Sequence, residues 1–245
     1  MVKLSGNLAE RKALVVGGSG GVGALVSRAL AEAGANMVVH GGHRKKALEQ
    51  VAEDCRAHGV LCETVLQELK HPDDVLSLVA KGIPDVLVVA FGPVRWKGVS
   101  EEGVKGWNDM TLSNLAIPGA LVSACVSELK RRGFGRIVLF GASRGEICPP
   151  SMEATAYTAA KSGLVSLVRS VAKDASGSNV TCNLFCPGYV DTEYLSDAQR
   201  ARFARRSPSG RLTDPKDIAN AVVYLCGTAG HVINGAVINV GEGLV

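Results

Sequence analysis

The chain has 245 residues, 47% of them apolar and 20% charged, with a formal net charge of +4. That length and apolar share allow one large α/β domain with a substantial core, and they exclude a disordered chain. The basic residues are spread out and aromatics make up only 4%, so the basic, aromatic-interleaved surface of a nucleic-acid binder is missing.

The N-terminal stretch carries Lys3, Glu10, Arg11 and Lys12. No secretory cleavage pattern and no apolar run of about 18 residues is read in the chain, so no membrane partner is expected. Ala13–Val16 reads as a first short strand running straight into glycines, and Ala24–Ala33 as a helix stopped by Gly34. A second strand covers Asn36–His40, a helix Lys45–His58 ends at Gly59, and a third strand covers Val60–Leu66. A helix over Pro72–Lys81 leads to Asp85–Ala90, a continuous apolar strand of the kind found in sheets covered on both faces.

The second half keeps the rhythm. A helix is predicted over Trp107–Arg131, a strand over Arg136–Phe140, a loop over Gly141–Thr155 and a helix over Ala156–Ala175, with further strands at Val180–Phe185 and Val237–Val240. Short strands alternating with helices predict a doubly wound parallel sheet of Rossmann type, α/β in class, with helices on both faces and residues 1–245 forming a single domain. Cys55, Cys62, Cys125, Cys148, Cys182, Cys186 and Cys226 form neither a CxxC pair nor a disulfide framework. They read as small buried hydrophobes in a reducing, cytoplasmic setting. The five histidines are dispersed and pair with no acids at ligand spacing, so no metal site is expected.

Gly17, Gly21 and Gly23 lie between the first strand and the first helix. Such glycines permit a sharp turn, close approach of backbone to a pyrophosphate and tight helix packing, with the helix N-terminus facing the anion. The end of the second strand decides which nicotinamide dinucleotide is taken. An acid there would hold a free ribose, but the stretch offers His43, Arg44 and Lys45 and no acid before Glu49. NADP is therefore preferred, with NAD as the alternative. Further on, Tyr157 and Lys161 stand four positions apart on one helix face. A phenol has a reference pKa of about 10, and a nearby ammonium favours the phenolate that takes a proton from an alcohol as hydride leaves.

With these motifs on the page, the sequence resembles the short-chain dehydrogenase/reductase family in its single-domain, 3-oxoacyl-reductase-like form, over nearly the whole chain. The resemblance implies a catalytic set of Asn114, Ser143, Tyr157 and Lys161. Asn114 would support a water-linked proton relay, and Lys161 would also hold the nicotinamide ribose. Ser19 and Val22 join the glycine loop, and Glu68 and Leu69 stand beside the adenine where the family commonly has Asp. Ala90 belongs to the segment after the fourth strand, while Pro187, Gly188, Val190 and Thr192 form the segment touching the carboxamide. A lid over 189–210 would cover the substrate; Arg200, Arg202, Arg205 and Arg206, with Arg211 just beyond, make it basic, and they would attract an anionic substrate, close over cofactor phosphate or form a solvated helical face. A homotetramer, otherwise a homodimer, is implied.

The chain departs from the family pattern at Val16, at Val89–Gly92 where NNAG is usual, and at Glu242. Counting forward from the strand puts Ala142 at the serine position with Ser143 beside it; Ser151 is a second candidate. The expected activity is hydride transfer between NADP(H) and a small carbonyl or secondary alcohol substrate. The alternative is a nucleotide-binding or structural subunit of the same fold without chemistry. Lys130–Arg132 with Arg169 offer either a surface for an acyl-carrier partner or ordinary helix ends.

Overall fold

The computed structural model describes residues 8–244, so the expectation resting on Lys3 lies outside them. Among the described residues, seven strands form one sheet: β1 (Lys12–Val16), β2 (Asn36–Gly41), β3 (Cys62–Leu66), β4 (Val86–Val89), β5 (Gly135–Phe140), β6 (Val180–Pro187) and β7 (Val237–Val240). Their order is β3-β2-β1-β4-β5-β6-β7, and every neighbouring pair is parallel. This is the doubly wound sheet that the alternation of strands and helices predicted.

The helices are α1 (Gly21–Glu32), α2 (Lys45–Arg56), α3 (Val75–Val79), α4 (Val104–Thr111), α5 (Ile117–Arg132), α6 (Thr155–Asp174), α7 (Asp197–Arg206) and α8 (Pro215–Cys226). Because side chains alternate along a strand, each apolar strand feeds two cores. Ala13 and Val15 of β1 pack with α1, α2 and α8, whereas Leu14 and Val16 pack with α3, α5 and α6. Six of the seven cysteines are buried, and Cys148 is exposed.

Three expectations need correction. The helix read over Pro72–Lys81 is a 3-10 turn, Pro72–Asp74, followed by the short α3. Its start is set by the Asp74 carboxylate, which accepts the Lys70 and His71 amides at 2.7 and 2.8 Å. The helix read over Trp107–Arg131 widens into a π-helical turn at Leu112–Ala116. Pro118 has no amide proton to give the Asn114 carbonyl, and its ring crowds that oxygen, so the α-helical repeat fails there. Finally, Val104–Arg132 as a whole is long and apolar enough to cross a membrane by length and composition, with a mean hydropathy of 1.4 in its most apolar window. In the fold, Ile117, Leu121, Val122, Cys125 and Leu129 of this segment are buried in the second core, which accounts for its apolar character.

Candidate active site

Val16 pairs with both His40 and Val89, and Val89 pairs with Leu139. The C-terminal ends of β1, β2, β4 and β5 are therefore level. The chain winds away from β1 and β4 in opposite directions, leaving a crevice at that switch point. The loops leaving these strand ends enclose a cavity of about 750 Å³.

The glycine loop forms its floor. Gly17 has φ 82°, and a Cβ there would stand 3.0 Å from the Ala90 and Phe91 backbone; a Cβ on Gly23 would overlap the Gly17 carbonyl oxygen. Neither position accepts a side chain without moving backbone. The Gly17 amide donates to His40 Nδ1 at 3.3 Å, while His40 Nε2 lies 2.8 Å from the Gln67 carbonyl. Both bonds are met by the neutral ring with its proton on Nε2, and burial holds the His40 pKa below its ordinary value.

No side chain of the Gly20 cap closes the N-terminus of α1. Instead the Gly21 amide donates to Glu193 Oε1 at 2.8 Å, a carboxylate from the loop after β6. Beside it, Arg44 donates to the Ser19 carbonyl at 3.3 Å and to the Tyr194 hydroxyl, with its guanidinium 5.0 Å over the Tyr194 ring. These amides and this guanidinium are the groups that would hold a dinucleotide's phosphates.

Every residue expected at the nucleotide lines this cavity except Gly188 and Val190. Gly188 donates its amide to the Val240 carbonyl at 2.6 Å and packs its bare Cα against Gly241. Val190 bridges to Thr213 and packs on the first core. Both hold the segment that carries Pro187 and Thr192, which do reach the wall. Glu68 reaches it too, bound to Lys70 at 2.5 Å; that ammonium holds its carboxyl below the usual carboxylate range.

Lys161 is 3% exposed and donates from Nζ to the Phe140 carbonyl at 2.7 Å. Its ammonium stands 5.9 Å from the Tyr157 ring centroid. Burial pushes Lys161 down to about 8 and Tyr157 up to about 12. A nearby ammonium by itself favours the phenolate, as expected from the i,i+4 spacing. In this geometry desolvation dominates the Tyr157 shift, so the phenol keeps its proton at neutral pH.

Asn114 is buried behind the wall, on the π-helical turn, with Nδ2 donating to the Pro93 carbonyl at 3.1 Å. Its Oδ1 is buried without a hydrogen-bond partner. A Cβ on Gly92 would overlap that oxygen and stand 2.9 Å from Lys161 Nζ. A free acceptor and an ammonium thus border one small space, as a hydrogen-bonded relay requires.

Ser143 borders a second cavity of about 280 Å³, shared with Tyr157, Tyr189 and Phe203. Its hydroxyl is buried without a partner. Ser151 borders the same cavity, but its Oγ accepts the Ala154 amide at 3.2 Å at the start of α6. Tyr157 lines both cavities. Among the described residues, no three His, Cys, Asp or Glu side chains group as metal ligands.

Sequence reasoning missed His40, Glu193 and Tyr194. His40 follows two valines and reads as part of an apolar strand. Its bond to Gly17 spans 23 residues, and that of Glu193 to Gly21 spans 172, so neither leaves a local signal.

The family model described as Enoyl-(Acyl carrier protein) reductase matches residues 17–245. The chain is 29% identical to the 3-oxoacyl-(acyl-carrier-protein) reductase FabG of Aquifex aeolicus, over 99% of each chain. It is 31% identical to the cis-4-hydroxycyclohexanecarboxylate dehydrogenase of Sinomonas cyclohexanicum, over 96% of each. Among solved structures, one from Agrobacterium tumefaciens assigned as a gluconate dehydrogenase superposes with a TM-score of 0.88, at 25% identity and 97% coverage of both chains.

Proposed function

Since the chain belongs to the short-chain dehydrogenase/reductase family and is an NAD(P)-dependent oxidoreductase, we propose that it interconverts a small carbonyl compound and its secondary alcohol, with NADP(H) preferred and Tyr157 as acid/base. The observation that carries this reading is the place of Tyr157 on the wall between two cavities, one floored by the glycine loop and the other bordered by Ser143.

The glycine cradle, the α1 amides and the buried free Oδ1 of Asn114 suit a dinucleotide cofactor. Gly17 to Gly23 would hold its pyrophosphate, Arg44 with His43 its 2′-phosphate, and Lys161 its nicotinamide ribose. When bound, the nicotinamide supplies or accepts the hydride at the reacting carbon. In reduction, Tyr157 gives its phenolic proton to the oxygen as negative charge develops there, and the Ser143 hydroxyl donates a second hydrogen bond to it. Lys161 keeps its ammonium beside Tyr157, and Asn114 Oδ1 offers an acceptor for the proton path behind it. In oxidation the same groups run in reverse, with Tyr157 taking the proton.

Arg44 supports the phosphorylated cofactor because its guanidinium lines the cavity and has no carboxylate partner among the described residues. Surface charge gives little support to an acyl-carrier partner: Lys130, Arg131 and Arg132 are bound to Asp174, Glu128 and Asp85, which leaves the exposed Arg169 as the one cation of that group without an ion pair among the described residues. Assembly as a homotetramer, otherwise a homodimer, and a cytoplasmic setting belong to the same proposal.

The test is a side-by-side fluorescence titration with NADPH and NADH, followed by turnover on a panel of carbonyl compounds. Wild-type protein should prefer NADPH, and Arg44→Ala should weaken NADPH by about 10- to 100-fold while sparing NADH. Tyr157→Phe should lower turnover by about 10²- to 10⁴-fold. Preferential binding of NADH would overturn the cofactor assignment, and turnover that survives Tyr157→Phe would overturn the acid/base role.

A further inference from the structure

The basic lid invites the idea that its arginines draw in an anion, but all of them except the exposed Arg205, which does not line the cavity, are held in ion pairs. Arg200 is bound to Asp191 at 2.7 Å, Arg202 and Arg206 both bind Glu153, and Arg211 binds Glu242 at 3.1 Å. These charges tie the lid to its surroundings: Glu153 lies just before α6, and Glu242 lies beyond β7.

Arg144 is different. It is half-buried, lines the second cavity beside Ser143, and its guanidinium has no hydrogen bond or ion pair among the described residues. The cavity's one lining carboxylate, Glu153, is already shared by Arg202 and Arg206. Arg144 also sits at φ 55°, a left-handed conformation that bulky residues rarely adopt. The same cavity has an aromatic lining: Tyr189 stacks on Phe203 with centroids 4.8 Å apart, and Trp96 lies 6.1 Å from Phe203. A guanidinium without an anion pairs readily with a planar carboxylate. At about 280 Å³ the cavity is at the small end for a ligand site.

We propose that the substrate carries a carboxylate recognised by Arg144, on a compact apolar body that lies against Trp96, Phe203 and Tyr189 while its carbonyl or hydroxyl group meets Ser143 and Tyr157. This rests on the oxidoreductase reading for the reacting end only; recognition of the anion is a separate, measurable property.

The experiment compares 3-oxobutanoate, 4-oxopentanoate and benzoylformate with their methyl esters, each titrated calorimetrically into the protein with and without saturating NADP⁺. With oxidised cofactor a ketone binds without turning over. Arg144→Asn removes the cation yet tolerates the left-handed backbone, and Arg144→Lys keeps the charge. At least one acid should bind about 10- to 100-fold more tightly than its ester. That preference should collapse in Arg144→Asn and survive in part in Arg144→Lys. Equal binding of acids and esters, no binding of any acid, or a preference that persists in Arg144→Asn overturns the proposal. Failure of the oxidoreductase reading looks different: the acid preference stands, yet neither NADPH nor NADH is consumed with any of the six compounds.

Discussion

The Glu193 carboxylate accepts the Gly21 amide at 2.8 Å, so the chain itself sets an anion at the N-terminus of α1. On the proposed reading the cofactor's pyrophosphate would take the same amides, and the two negative groups would compete for them. Tyr194, the next residue, lies against Arg44 in the same way. Glu193→Gln should therefore tighten NADPH binding by about two- to fivefold, the factor expected for one charge at a helix end. Unchanged or weaker binding in a fluorescence titration would show that Glu193 does not compete.

The pH profile of reduction follows from the buried Tyr157 and Lys161. Tyr157 at about 12 stays protonated across the working range, whereas Lys161 at about 8 loses its charge within it. On the proposed mechanism, reduction requires that both groups carry their protons in the free protein. The expected kcat/KM is level below pH 8 and falls by about tenfold per unit above it. A profile that stays level to pH 10 would mean that Lys161 is not the titrating group.

Gly23 is where α1 touches the glycine loop. A methyl group there overlaps the Gly17 carbonyl oxygen, and backbone cannot swing aside as a side chain can. Gly23→Ala should cost about 1–3 kcal/mol by overpacking, lower Tm by on the order of 5 °C and weaken both NADPH and NADH. Full cofactor affinity in a folded variant would contradict this close packing.

His40 makes the same loop sensitive to acid. Its folded-state pKa lies below the unfolded value of about 6.5, so the unfolded chain takes up the proton first as pH falls. The stability contributed by the neutral ring is complete above about pH 6.5 and is lost as pH drops toward the folded-state value. Protonation of Nδ1 also removes the acceptor of the Gly17 amide. Between pH 7 and 5, Tm should drop further in wild type than in His40→Gln. Parallel curves for the two proteins would exclude His40 as the source.

What the sequence determined by itself is what neighbouring residues decide. The run of β1 into Gly17, Gly21 and Gly23, the i,i+4 spacing of Tyr157 and Lys161, and the apolar strands between helices are local patterns, and local periodicity reads them directly. Tertiary structure decided the rest. Ser143 and Ser151 stand on the same loop in the sequence, and only the fold shows that Ser151 is spent on the Ala154 amide while the Ser143 hydroxyl has no partner. Apart from the exposed Arg205, the lid arginines and Arg211 look like an anion trap until Glu153, Asp191 and Glu242 are found against them, and among the described residues Arg144 is the cation of the second cavity without a partner. His40 reaches Gly17 only because β2 pairs with β1 in one register, and Glu193 reaches Gly21 only because β6 runs parallel to β1, so that the loops after both emerge at the C-terminal end of the sheet. Charges and buried donors act through distance in space, and that distance is settled by which strands lie side by side.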